Sequence, residues 1–196
     1  PPSTIQDLGR FGHLRVGIPT SGPMDREAFV LANRLVGNDD NAAGLECTLL
    51  GPRLEFTDAR LVAITGADMA PTLNGAPAPT WESLTVQAGG VLRLGSVRRG
   101  VRTYVAVAGG IQTPLVLESR ATYPRGRLGG LEGRALRKGD RLALGRAVAS
   151  SARRVRSDRI PAYPGEAEVA VILGPQEDRF TPAGIDAFLT GPYEIL

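Results

Sequence analysis

Hydrophobic positions along the chain come in short runs broken by glycine and proline, at residues 45–50, 61–65, 91–94, 102–108, 141–144 and 168–173. Runs this short, bounded by turn residues, predict β-strands. Asn74-Gly75, Gly89-Gly90 and Gly139-Asp140 punctuate them at intervals of about ten to fifteen residues, which favours barrels or sandwiches over alternating βαβ units. The predicted class is mainly β with a few short helices. Two stretches instead follow the helical period. Asp25 can cap a helix whose apolar positions Ala28, Phe29, Ala32, Leu35 and Val36 fall on one face before Gly37. A shorter helix begins with Thr181 as N-cap and Pro182 in the first turn and runs through Ile185, Phe188 and Leu189 to Gly191.

Residues 89–95 and 139–145 echo each other as a turn feeding a strand, a repeat too small for a solenoid. The arginine-bearing stretch around Pro161 and Pro164 predicts a linker over 150–165. It would separate a β module at 1–149 from the beginning of a second, truncated β module at 166–196. The opening Pro1-Pro2 and the strand-like close Tyr193-Glu194-Ile195-Leu196 suggest a piece of a longer protein.

Composition narrows the function classes. At 196 residues, 42% hydrophobic and 22% charged, the chain reads as an ordinary globular protein with no membrane segment and no signal peptide. A single cysteine, Cys47, allows no internal disulfide, so the expected compartment is the reducing cytoplasm and the expected role a buried thiol. The net charge of +3 comes almost wholly from arginine, with Lys138 the sole lysine. Acidic residues are interspersed and aromatics sparse, against nucleic-acid binding.

Candidate chemistry is defined first by what is missing. With one histidine, His13, and one cysteine there is no zinc constellation, a catalytic triad would hang on His13 alone, and no phosphate-cradling Gly-x-x-x-x-Gly-Lys-Ser/Thr loop occurs. No metal-ligand set is expected. The densest polar, flexible region runs from Glu118-Ser119-Arg120-Ala121-Thr122 through Gly129-Gly130 and Gly133-Arg134 to Lys138. Glycine amides and arginine forks suit carboxylate or phosphate oxygens, although a solvated loop has the same composition. Residues 17–25 deliver Ser21 and Asp25 to the first helix's N-terminus, as anion site or as turn and cap. Asn33 and the strand acid Glu46 are further polar candidates. Gly109-Gly110 ends a strand as an oxyanion-binding nest or as a tight turn.

The blocks Thr4-Ile5-Gln6-Asp7-Leu8-Gly9-Arg10, residues 17–25, Ala32-Asn33-Arg34-Leu35-Val36-Gly37-Asn38, Leu45-Glu46, Thr65-Gly66-Ala67, residues 104–111, Ser119-Arg120, Gly129-Gly130, Gly133-Arg134 and Gly174-Pro175-Gln176 resemble, in order and spacing, one family. That family is the C subunits of bacterial 5-oxoprolinases, also described as biotin-dependent carboxyltransferase-like or allophanate hydrolase subunit 2. The resemblance implies a cyclophilin-like β-barrel and, as partners, B and A subunits with which 5-oxoproline is opened to glutamate at the expense of ATP. ATP with Mg²⁺ would be held by the complex. Related modules transfer a carboxyl group from carboxybiotin to urea, the second reading; a non-catalytic regulatory binding partner is the third.

Both reactions develop negative charge on an amide or ureido oxygen, so the resemblance implies preorganised donors more than a nucleophile. On that footing Arg120, Ser119, Asp25 and Glu46 are the catalytic candidates. Arg120 would pair with a carboxylate, phosphate or carboxybiotin, and Asp25 or Glu46 would act as base or hold Mg²⁺. Ser21, Asn33, Gly109, Gly110, Thr122 and Arg134 are the candidates for binding a small amide substrate. Glu118 and Ala121 stand where the family tends to have glycine and serine.

Overall fold

The computed structural model describes residues 3–147, 151–166 and 168–193. The chain falls into two compact units, Pro1–Gly165 and Glu166–Leu196. In the first, strands β1 (Ser3–Gln6), β2 (Gly44–Thr48), β3 (Arg53–Glu55), β4 (Arg60–Asp68), β5 (Thr72–Leu73), β6 (Ala76–Pro77), β7 (Ser83–Val86), β8 (Val91–Arg93) and β9 (Arg99–Val107) accompany helix α1 (Arg26–Leu35). One sheet has the order β1-β2-β9-β4-β7 and the other β3-β8-β5-β6. Every pairing is antiparallel.

Alternation along the central strands explains the layering. Val62, Ile64, Val105 and Val107 point to one face, where they join Leu45, Leu92 and Leu94 in a buried cluster shared with the second sheet. Ala63, Tyr104 and Ala106 point to the other, under Ala28, Phe29, Ala32 and Leu35 of α1. Small side chains there let the helix approach closely enough for Thr65 Oγ1 to donate to the Ala28 carbonyl at 2.7 Å. Phe29 meets Tyr104 edge-on, with ring centroids 5.8 Å apart.

The mainly β class holds, and the helices lie where capping predicted. Asp25 accepts from the Ala28 amide at 2.9 Å, and Thr181 accepts from Gly184 at the start of α2 (Pro182–Thr190). The barrel, however, does not close through strand pairing among the described residues, because irregular chain satisfies the ladder's two edges. The carbonyls of Ser3 and Ile5 in β1 accept from Leu136 and Thr122, and at β7 the Ser83 amide donates to Arg153.

Three local expectations give way. Residues 141–144 make only the isolated bridge Leu144↔Ile111, so the echo of 89–95 is not a second strand. Of the expected linker 150–165, residue 150 lies outside the described residues and 151–165 pack within the first unit: Val155 donates to the Trp81 carbonyl, and Val155 and Tyr163 lie against the cluster under α1. Glu166–Leu196, where the beginning of a second, truncated β module is expected, is a compact unit of its own whose described residues hold a short 3-10 turn at Glu177–Arg179 and α2 and no strand. Val169 and Ile172 of the run 168–173 are 75% and 98% exposed, for a strand exists only where a neighbour completes its ladder. Most of the strand-like close, 194–196, lies outside the described residues. No described helix is long and apolar enough to cross a membrane.

Gly66 marks where β4 departs from regular pairing with β9. Its φ is +86°, and a Cβ there would sit 2.4 Å from the Arg102 carbonyl oxygen. Gly66→Ala is expected to lower unfolding free energy by about 2–4 kcal/mol in urea titrations. A loss below about 0.5 kcal/mol would mean that the strand relaxes without strain.

Candidate functional site

Two buried charges organise the loops at the β1 end of the first unit. Asp7 and Arg10, just after β1, are 2% and 1% exposed. Asp7 Oδ1 accepts from the Gly9 amide at 3.0 Å, a local turn that residues of its type favour, and from Ser119 Oγ at 2.6 Å. Its Oδ2 accepts from the Arg120 amide. Arg10 spreads its guanidinium over the same segment: Nε donates to the Val116 carbonyl at 3.4 Å, Nη2 to the Ala121 carbonyl and Nη1 to Ser21 Oγ at 3.2 Å. Burial pulls the Arg10 pKa below its ordinary value, while the charge of Asp7 opposes that shift.

The segment so held is the one rich in candidate residues. Ser119, fully buried, donates to Asp7 and accepts from the Ala121 amide at 3.0 Å, so its hydroxyl is a structural link rather than a free nucleophile. Thr122 Oγ1 donates to the Ile5 carbonyl at 2.8 Å. Gly129 is needed behind it: at φ +64°, an added Cβ would lie 2.1 Å from the Ala121 oxygen and 2.6 Å from Arg10 Nη2. Arg120 roots its guanidinium through Nε to the Thr113 carbonyl at 2.9 Å and through Nη2 to Gln112 Oε1 at 3.0 Å. Nη1 makes no hydrogen bond among the described residues.

Gln112 also donates to the Gly109 carbonyl at 3.2 Å, so the 119–122 segment and the 109–110 pair share one hydrogen-bonded corner. The glycine amides themselves are taken. Gly109 donates to Asn38 Oδ1 at 2.8 Å and Gly110 to the Val107 carbonyl at 2.9 Å, which makes this pair a tight turn. Asn33, fully buried, accepts from Asn38 Nδ2 at 3.0 Å and donates to the Ala42 carbonyl at 2.9 Å, bracing that same turn from α1. Arg134 forks onto Asp140 at 2.8 and 3.0 Å and reaches Glu132 at 2.9 Å. That guanidinium holds the Asp140 carboxyl down at about 2.

Asp25 and Glu46 meet elsewhere, at the start of α1. Glu46 Oε2 accepts from the Met24 amide at 2.8 Å and from Tyr104 Oη at 2.9 Å, and Oε1 from Arg102 Nη1 at 3.1 Å. Tyr104 Oη in turn accepts from the Asp25 amide at 2.7 Å. Asp25 carries the cap on Oδ1 and accepts from Tyr163 Oη at 2.7 Å on Oδ2. Burial pushes the pKa of both tyrosines well above the ordinary phenol value, with the neighbouring carboxylates adding to it. Every oxygen of the two acids accepts a hydrogen bond, which ties both side chains to the start of the helix and to the residues packed on it. Among the described residues no group of three or more histidines, cysteines, aspartates or glutamates could hold a metal.

The structure thus gathers Ser119, Arg120, Thr122 and Ser21 around Asp7 and Arg10, ties Gly109, Gly110 and Asn33 to Arg120 through Gln112 and Asn38, and sets Asp25 with Glu46 in a separate network. Asp7, Arg10, Asn38, Tyr104 and Tyr163 are the residues that sequence reasoning left without a role. An Asp two residues before a glycine signals the turn at Asp7, but nothing local signals a partner 112 positions away.

Cys47, beside Glu46 in β2, is buried, and desolvation pushes its pKa up to about 12. Above the unfolded value of about 8.5 the folded state retains a proton that the unfolded state releases. The stability contributed by this group is therefore complete below that pH and is lost as pH rises toward 12. A thiol reagent at pH 8 is expected to label Cys47 only at the rate of unfolding; immediate labelling of native protein would contradict its burial.

Residues 16–196 match the family model of the carboxyltransferase domain, subdomain A and B. The chain is 36% identical over 203 residues to urea amidolyase of Saccharomyces cerevisiae, covering 98% of itself and 11% of that protein. It is 39% identical over 193 residues to the 5-oxoprolinase C subunit of Escherichia coli, covering 98% of itself and 61% of that protein. Its fold superposes on the crystal structure of the K. lactis urea amidolyase with a TM-score of 0.80 and 37% identity, over 83% of this chain and 10% of that one. The chain therefore spans less than two thirds of the length of each.

Proposed function

The chain belongs to the carboxyltransferase-domain family, subdomains A and B, and from that premise we propose that it acts as the C subunit of an ATP-dependent 5-oxoprolinase. It would work with B and A subunits to open a small lactam to its amino acid. The likeness to the E. coli C subunit, at 39% identity over nearly the whole chain, supports this reading. The observation that carries it is the rooting of Arg120: its amide rests on buried Asp7, and two of its guanidinium nitrogens rest on Thr113 and Gln112. Opening a lactam loads negative charge onto the amide oxygen, and a cation fixed before the reaction stabilises that charge without reorganising. The remaining Nη1 is the atom available for an incoming carboxylate or developing oxyanion.

A nucleotide and its Mg²⁺ would be held by the other subunits, because Asp25 and Glu46 are engaged at the helix start. The second reading is a carboxyltransferase domain acting on urea, favoured by the superposition on the K. lactis urea amidolyase. The amides of Gly109 and Gly110 already donate within the turn and are not free for a biotin ureido oxygen.

A coupled ATPase assay of the full-length protein with its A and B partners separates the readings. Hydrolysis should depend on 5-oxoproline and not on urea, and Arg120→Ala should lower kcat/KM by roughly ten- to a hundredfold. Stimulation by urea with a biotin carboxylase would favour the second reading, and full activity in Arg120→Ala would remove Arg120 from the mechanism.

A further inference from the structure

Several arginines of the first unit rest on carboxylates: Arg60 on Asp58 at 2.6 Å, Arg102 on Glu46 at 3.1 Å and Arg134 on Asp140 at 2.8 Å. Such a pair fixes the guanidinium and neutralises it at the same time. Arg120 is fixed differently. Both of its side-chain acceptors, the Thr113 carbonyl at 2.9 Å and Gln112 Oε1 at 3.0 Å, are uncharged, and it makes no ion pair among the described residues. Asp7 takes the Arg120 amide, not its guanidinium, and the charge of Asp7 is opposed by that of Arg10 on the same segment. Arg10 also rests on neutral acceptors, but all three of its nitrogens are engaged. Arg120 therefore combines a fixed position, an uncancelled charge and one nitrogen, Nη1, without a hydrogen bond among the described residues.

Gln112 is itself held on three sides. Its backbone amide donates to the Ala143 carbonyl at 2.8 Å, its Nε2 donates to the Gly109 carbonyl at 3.2 Å, and a Cβ on Gly145 would lie 2.8 Å from that nitrogen. A carbonyl can only accept, so Gly109 turns Nε2 toward itself and leaves Oε1 facing Arg120. A glutamate at this position would accept from Nη2 just as well, and would cancel the charge. We propose that Gln112 is a positioning residue that sets the Arg120 guanidinium without neutralising it, so that Nη1 meets one anionic oxygen, either the substrate's carboxylate or its amide oxygen as that gains charge. This role for Gln112 rests on the reading of Arg120 as the cation that faces the substrate, and it gives a chemical reason for an amide, and not an acid, beside that cation.

Steady-state kinetics of the full-length protein with its A and B partners, comparing Gln112→Ala with Gln112→Glu, test this role. If the side chain serves only to hold Arg120, alanine is the worse replacement, because glutamate still accepts from Nη2 and gives up only the bond to Gly109. If the tether must also be uncharged, glutamate is worse. The expected losses in kcat/KM for 5-oxoproline are roughly threefold in Gln112→Ala and roughly ten- to thirtyfold in Gln112→Glu. A loss carried by KM places Nη1 on the substrate carboxylate, and one carried by kcat places it on the developing oxyanion. Equal losses, a larger loss in Gln112→Ala, or no loss in Gln112→Glu would overturn the role.

A second readout does not depend on turnover. In the full-length protein alone, the Arg120 Nε–H resonance should shift with added acetate at fixed ionic strength, and Gln112→Glu should weaken that acetate affinity roughly fivefold or more. An Arg120 resonance unmoved by acetate in the wild type, or an equal affinity in the variant, would also overturn the role. The two readings fail separately. Acetate binding that follows the charge at position 112, without 5-oxoproline-dependent hydrolysis, keeps the role of Gln112 and removes the oxoprolinase reading; hydrolysis with the order of the two losses reversed keeps that reading and removes the role.

Discussion

The first unit depends on one constraint: Asp7 and Arg10, removed from water at the end of β1, must each be satisfied, and both find two of their three side-chain partners in the segment 116–121. An uncompensated buried charge costs about 3–5 kcal/mol, which is a large share of an ordinary domain's net stability. The two side chains are not paired with each other. Each is instead spent on backbone and hydroxyl groups of the loop, so a stretch of irregular chain acquires the fixity of a strand. Gly129 lets a second loop close over the Ala121 carbonyl, and Arg120 inherits a rigid root from this arrangement.

The network at Glu46 does the same for α1. Glu46, Tyr104, Asp25 and Tyr163 form a chain of hydrogen bonds that fixes the start of the helix and fastens residues 151–165 over it. Acids that looked like catalytic candidates are thereby explained by the architecture. What these networks position and leave without a hydrogen bond among the described residues is Nη1 of Arg120.

The strands of the central sheet were legible because their signal is local, as in 102–108 within β9 and 61–65 within β4. So were both caps, since Asp25 and Thr181 act on amides three positions away. What lay beyond the sequence was long-range. The run at 168–173 has strand composition but no strand partner among the described residues, and 151–165 looks like a linker because its packing surface is built by Trp81 and α1. The site was half legible. Composition pointed to 118–138 and to the pair 109–110, but whether a hydroxyl or amide in them is free or spent is decided by residues such as Asp7 and Asn38, whose partners lie 112 and 71 positions away. Family likeness located the blocks without assigning those roles.

Native-state hydrogen exchange in Asp7→Asn tests the clasp most directly, because asparagine keeps the shape of the side chain while removing its charge and one of its acceptors. The Arg120 amide should be protected in the wild type and lose protection by roughly ten- to a hundredfold in the variant, with the amides of Val62 and Val105 in the central sheet unchanged. Equal protection of Arg120 in both proteins would show that the loop holds its form without Asp7, and would contradict the account.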